Sequence, residues 1–245
     1  MLGYLFRWLP AGESMNIPAI AKNTFELLRN QPEFMNITES VVEHLNKIKS
    51  KLEKARFVHN VVDECNKEVF AHPLLKEFVP CKAGCSGCCH TQVSVTEDEA
   101  ELLLHNIDEG VVIDYNRLSL QSEVGNEAAD FYKLSYKERA CVFLDENGAC
   151  KVYKDRPSVC RTNAVVGEAS QCDTSTQAQG PLRLVKTPKA DMAIVAAFAV
   201  APSGTLPVML SKVLKERNAS EDIGFFKTIF DRFTGRKPVP KDTRL

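Results

Sequence analysis

The sequence predicts a mainly α (α+β) protein: a helical domain with a short β-hairpin and cysteine-rich metal-binding loops. Three observations carry that prediction. Apolar residues recur at spacings of three and four through much of the first third of the chain. Strand-like patterning is confined to residues 92–95 and a hairpin over 141–153. Eight of the nine cysteines lie between Cys81 and Cys172. The 245 residues divide into an N-terminal helical region over 1–78, a cysteine-cluster metal-binding domain over 79–175 and a C-terminal helical region with a basic tail over 176–245. The three are expected to pack as one globular unit.

In chain order, Val41, Leu45, Ile48, Leu52, Ala55, Val58, Val62, Cys65 and Val69 form the apolar stripe of one amphipathic helix. Cys65 lies on that stripe and reads as a small buried hydrophobe. His72-Pro73 breaks the helix, and Pro80 stiffens the approach to the cysteines. Gln92-Val-Ser-Val95 alternates like a strand; Thr96-Glu-Asp-Glu99 is a capping box, opening a helix that Gly110 ends. A further helix is expected from Asp114 to about Leu134. Cys141–Leu144 and Ala149–Tyr153 flank Asp145-Glu-Asn-Gly148 as a hairpin, with Gly148 at positive φ, which folds Cys141 back towards Cys150. Thr187 and Pro188 cap and start a helix containing the apolar run Met192–Ala201, and Pro202 stops it. That run is too short to cross a bilayer and reads as a buried helix. Near the end, Ile223, Phe225, Phe226, Ile229, Phe230 and Phe233 share an apolar face assigned to the core.

Composition excludes several functions. The net charge is −1, so no global basic field recruits nucleic acid, and no membrane span is expected. Glycine-rich nucleotide fingerprints are absent. The first ten residues, interrupted by Arg7 and ended by Pro10, do not read as a signal peptide. A chain of this size builds a core without disulfide staples, and nine is an odd number of thiols. The expected setting is therefore the reducing cytoplasm, and the expected purpose of the cysteines is metal binding.

Four cysteines occupy the nine residues of Cys81-Lys-Ala-Gly-Cys85-Ser-Gly-Cys88-Cys89. Cys85-x-x-Cys88 is the spacing of a metal knuckle, and Gly84 and Gly87 let backbone amides approach sulfur. Cys141, Cys150 and Cys160 follow, and Cys172, in a polar loop, ranks below these seven. Eight thiolates would fill two tetrahedral zinc sites, or four could hold one [4Fe–4S] cluster and leave the rest for a second centre. Arg156 and Arg161 flank Cys160 as expected charge partners of a cofactor there. Lys82, Lys151 and Lys154 read as surface lysines. His90 is either an alternative ligand or a supporting residue; His44, His59, His72 and His105 read as structural.

Cys81-x3-Cys85-x2-Cys88-Cys89, then Thr96-Glu-Asp-Glu-Ala100, Cys141-x8-Cys150 and Tyr153-x2-Arg156-Pro-x2-Cys160-Arg161 resemble the YkgJ-type cysteine-cluster family. The same cluster is similar to that of the flagellin lysine-N-methylases. The resemblance covers about residues 79–163 and implies a zinc or iron site at Cys81, Cys85, Cys88, Cys89, Cys141, Cys150 and Cys160. Cys81-x3-Cys85-x2-Cys88 is also the spacing of radical S-adenosylmethionine enzymes. Here, however, Gly87 stands where those have an aromatic residue, and no strand–helix series follows to build a barrel. The expectation is an iron–sulfur protein, [4Fe–4S] before zinc, acting in electron transfer with a redox or other protein partner, or as the metal centre of a protein-modifying enzyme. A structural zinc module is the alternative, followed by a metal-dependent lysine methyltransferase.

Overall fold

The computed structural model describes residues 16–81, 84–175 and 183–219. The amphipathic face at Ile223–Phe233, the basic tail, Lys82 and the first ten residues lie outside them. The fold is mainly α with a short antiparallel β pair. Helices α1 (Ala19–Leu28), α2 (Pro32–Lys47) and α3 (Lys51–Phe70) pack around α9 (Pro188–Val200). Every residue of α9 from Ala190 to Ala199 is buried, which suits a helix apolar on all sides. Pro188 sits at its first turn and Thr187 at its N-cap position, as the sequence indicates. Phe25, Val41, Val42, Leu45, Val58 and Val62 close over it. Cys65 is half-buried against this core. Among the described residues no helix is long and apolar enough to cross a membrane.

The single helix expected through residues 41–69 is two. Ile48 is extended, and the Ser50 hydroxyl accepts from the Glu53 amide to cap α3. A three-residue break preserves the three-and-four spacing, so periodicity alone did not reveal it. His72-Pro73 separates α3 from α4 (Pro73–Phe78), with proline at the first turn.

The cysteine loop leads into β1 (Ser94–Thr96) and then α5 (Glu97–Asp108), opened by the capping box of Thr96 and Glu99. Strand β1 pairs antiparallel with β2 (Ser203–Thr205), Val95 opposite Gly204, tying the exit of the cysteine loop to the end of α9. The helix expected from Asp114 breaks in two, α6 (Tyr115–Val124) and α7 (Ala128–Phe131), at Gly125 with φ 81°. The break receives β2: Thr205 N–H donates to Asn126 Oδ1 at 2.8 Å and Thr205 Oγ1 donates to Gly125 O at 3.2 Å. The hairpin expected around residues 145–148 is a tight turn with an isolated bridge, Leu144 to Cys150, rather than a ladder. Helix α8 (Ser158–Thr162) packs on α3, and α10, over residues 206–219, supplies Leu206, Met209, Leu210 and Val213 to a second apolar cluster with β1, α5 and the 141–152 turn.

Candidate metal centre

Four short segments carry the cysteines to one place. Cys81 follows α4. The next segment turns through Gly84 (φ 83°) into a 3-10 turn over Gly87–His90, closed by Cys89 N–H donating to Ser86 O at 2.9 Å, and holds Cys85, Cys88 and Cys89. Cys141 N–H donates to Cys89 O at 2.8 Å, stitching the second segment onto the first. That segment reverses because Asp145 Oδ1 accepts from the amides of Asn147 and Ala149 and because Gly148 takes φ 76°. A Cβ on Gly148 would stand 3.2 Å from Ser86 Oγ and 3.3 Å from Gly84 O, so the two turns nest closely. Cys160 lies on α8. Cys172 ends a 3-10 turn, Ala169–Cys172, packed so tightly on Gly87 that a Cβ there would come within 2.7 Å of Cys172 Cβ. Gly87 is therefore what lets the fourth segment reach the first.

All nine cysteines are free thiols, and all but Cys65 are linked by charge or hydrogen-bond effects on one another's thiol pKa. Burial and then the Cys88, Cys81 and Cys85 sulfurs push the Cys172 thiol up to about 11. Burial, with Cys141, Cys88 and Cys150 nearby, pushes Cys160 well above the ordinary thiol range. Burial raises Cys141 to about 11, with Cys150 and Cys88 adding to it. Cys89 donates its S–H to Cys88, so Cys88 is lowered and Cys89 raised. Cys88 is the common neighbour. Around it the sulfurs sort into an outer set, Cys81, Cys85 and Cys172, and an inner set, Cys89, Cys141, Cys150 and Cys160.

The chemistry around these sulfurs suits thiolates. Amide N–H groups donate to sulfur from Phe143 to Cys141, from Val152 to Cys150 and from Val165 to Cys81, and the Asn163 side chain bonds Cys88. Two of those donors lie two residues past their cysteine, so the local turn itself solvates the thiolate. Among the described residues no three His, Cys, Asp or Glu side chains already stand in an arrangement that could hold an ion.

The flanking residues divide. Arg156 stacks 4.0 Å over the Tyr153 ring; burial raises the Cys150 thiol, and the Arg156 charge offsets part of that rise. Arg161 is buried and donates to Asp63 Oδ2 (2.6 Å), Arg156 O (2.9 Å), Lys154 O and His59 Nδ1. It clamps α8 to α3 from behind Cys160. Because a guanidinium only donates, His59 Nδ1 is bare, and its Nε2–H donates to Glu99 Oε1 at 3.1 Å. Ser158 donates to the same Glu99 oxygen through its amide (2.7 Å) and hydroxyl (2.6 Å). Sequence reasoning found Glu99 only as a capping residue and took His59 as merely structural. The residue it overlooked altogether is Arg139, two positions before Cys141. His90 is buried, bonds Ser86 O through Nδ1 at 3.1 Å and stacks on Tyr136 with centroids 3.9 Å apart. Lys151 and Lys154 are exposed.

The mainly α fold carries eight thiols on four short segments, the donor chemistry of a cysteine-cluster metal-binding protein. Residues 80–179 match the CxxCxxCC family, described as a "putative zinc- or iron-chelating domain". The match takes in every cysteine from Cys81 to Cys172, bears out the cysteine-cluster resemblance and supports metal binding. No curated protein and no solved structure matches the chain.

Proposed function

We propose that the cluster holds an iron–sulfur centre, [4Fe–4S] in its simplest form, which serves electron transfer with a protein partner or forms the metal centre of a protein-modifying enzyme. The observation that carries this reading is the convergence of eight thiols on Cys88, with amide donors aimed at several of the sulfurs. Soft thiolates beyond the four that one ion needs, hydrogen-bonded at sulfur, suit iron with sulfide, and such bonds tune a cluster's potential. The inner set, Cys89, Cys141, Cys150 and Cys160, would hold one cluster, with Cys88 shared or belonging to the outer set. Free thiols throughout accord with a reducing, cytoplasmic setting.

The four-and-four grouping favours one further reading. With Cys88 counted in the outer set, each group has four thiolates, the number one zinc ion takes, and the protein would be a structural zinc module. Metal and sulfide analysis after anaerobic purification separates the two. The proposal predicts brown protein with iron and acid-labile sulfide, absorbing at roughly 400 nm as thiolate-ligated clusters do. Colourless protein carrying zinc without sulfide would establish the module instead.

A further inference from the structure

Arg139 is 7% exposed, yet its guanidinium has no carboxylate partner among the described residues. Nη1 donates to Thr174 Oγ1 at 2.9 Å and to His90 O at 3.4 Å, Nη2 donates to Thr174 O at 3.0 Å, and Nε has no partner. The rings of Tyr132 and Tyr136 lie 5.3 and 5.5 Å from its central carbon. Gln121 fixes its backbone on both sides by donating to Glu138 O and Ala140 O. Asp173, which bonds the Tyr136 hydroxyl and the Ser175 amide, is not paired with it.

A buried charge without a partner is costly, and an apolar residue of similar size would ordinarily be more stable there. A negative group facing it would offset that cost. The position supplies a candidate. Arg139 grips the carbonyl of His90, next to Cys89, and lies two residues before Cys141, whose amide bonds Cys89 O. Burial and Asp173 raise the Tyr136 phenol, which also feels both groups, Arg139 opposing the rise and Cys89 adding to it. Arg117 and Arg156 also bias Cys141 and Cys150, but Arg117 is already paired with Asp114 and Arg156 is half-exposed. Four thiolates on one divalent ion carry a net charge of about −2.

We propose that Arg139 is the built-in charge partner of the metal-loaded cluster, a positioning residue whose guanidinium offsets the thiolate charge from behind the Cys89–Cys141 contact. This rests on the metal-binding reading. It holds for zinc or iron alike, because both leave the thiolate set negative. The aromatic pair covers the guanidinium and keeps water from screening it, so its charge acts at more than its aqueous strength.

The test measures Zn²⁺ affinity by chelator competition, and melting of the metal-free protein, for wild type, Arg139→Met and Arg139→Lys. Arg139→Met should bind Zn²⁺ roughly tenfold to a hundredfold more weakly, the range seen when a ligand's supporting partner is lost. Its metal-free form should melt at or above the wild-type temperature, because the unpaired charge is gone. Arg139→Lys, which keeps the charge, should recover most of the affinity. Should Arg139→Met fail to fold, Arg139→Gln takes its place with the same expected loss of affinity. Wild-type affinity in the neutral variant, or Arg139→Lys as weak as Arg139→Met, would overturn the proposal and leave a packing role. Wild-type protein that takes up neither zinc nor iron would remove the metal reading itself, and this inference with it.

Discussion

Cys88→Ser should strip the cluster of most of its metal, whereas Cys65→Ser should leave metal content unchanged. Cys88 is the sulfur that influences Cys81, Cys89, Cys141, Cys150, Cys160 and Cys172, so every candidate set meets there. Serine offers a neutral, hard oxygen in place of a soft thiolate. Losing even a ligand's hydrogen-bond partner costs about 10–100-fold in metal affinity, and losing a ligand should exceed that. Cys65 packs against the core around α9, away from the cluster. Its hydroxyl replacement should cost roughly 1–3 kcal/mol of stability without touching the metal. Metal analysis of the two variants, side by side, decides the matter: a dispensable Cys88 with an indispensable Cys65 would place the site elsewhere.

Glu99→Ala should be the most destabilising single change behind the site, by about 3–5 kcal/mol, the cost of removing one member of a buried charged network. It would leave His59, the Ser158 amide and the Ser158 hydroxyl without their acceptor, all of them buried. These bonds tie α3, α5 and α8 together immediately ahead of Cys160. Burial alone would raise the Glu99 carboxyl, but the bonds from His59 and Ser158 outweigh it and hold it below its ordinary value. A carboxyl lowered on folding contributes stability above its unfolded pKa, and that contribution is lost as pH falls through the folded one. Wild type should therefore lose stability on acidification below the ordinary carboxylate range, and Glu99→Ala should lack that part of the acid dependence. Denaturant unfolding of both proteins at neutral and acid pH measures it. Equal stability at neutral pH would show that the network is dispensable.

The sequence carried local structure where a single residue dictates it. Pro73, Pro188 and the Thr96–Glu99 box start helices where the motif says they should, and Gly148 turns the chain at positive φ. What it did not carry is anything set by long-range contact. The break at Gly125 exists because Asn126 and Gly125 receive β2, some eighty residues on, and no local pattern announces that partner. The cysteine spacing marked the cluster, yet the place of Cys172 depends on Gly87 lacking a Cβ, a contact visible only in three dimensions. Arg139 escaped notice for a related reason. Its isolation from any acid is a property of the folded interior, while Arg156 and Arg161 drew attention by flanking Cys160. In the fold Arg161 turns to Asp63 and His59, and Arg156 stacks on Tyr153.

The four cysteine segments are expected to close together on metal through sulfur. X-ray absorption fine structure at the metal edge of the loaded protein tests it without prior assumption about the ion. The expected result is a set of nearest neighbours dominated by sulfur, at about 2.3 Å if the metal is zinc. A first shell dominated by oxygen and nitrogen at about 2.0–2.2 Å would contradict it.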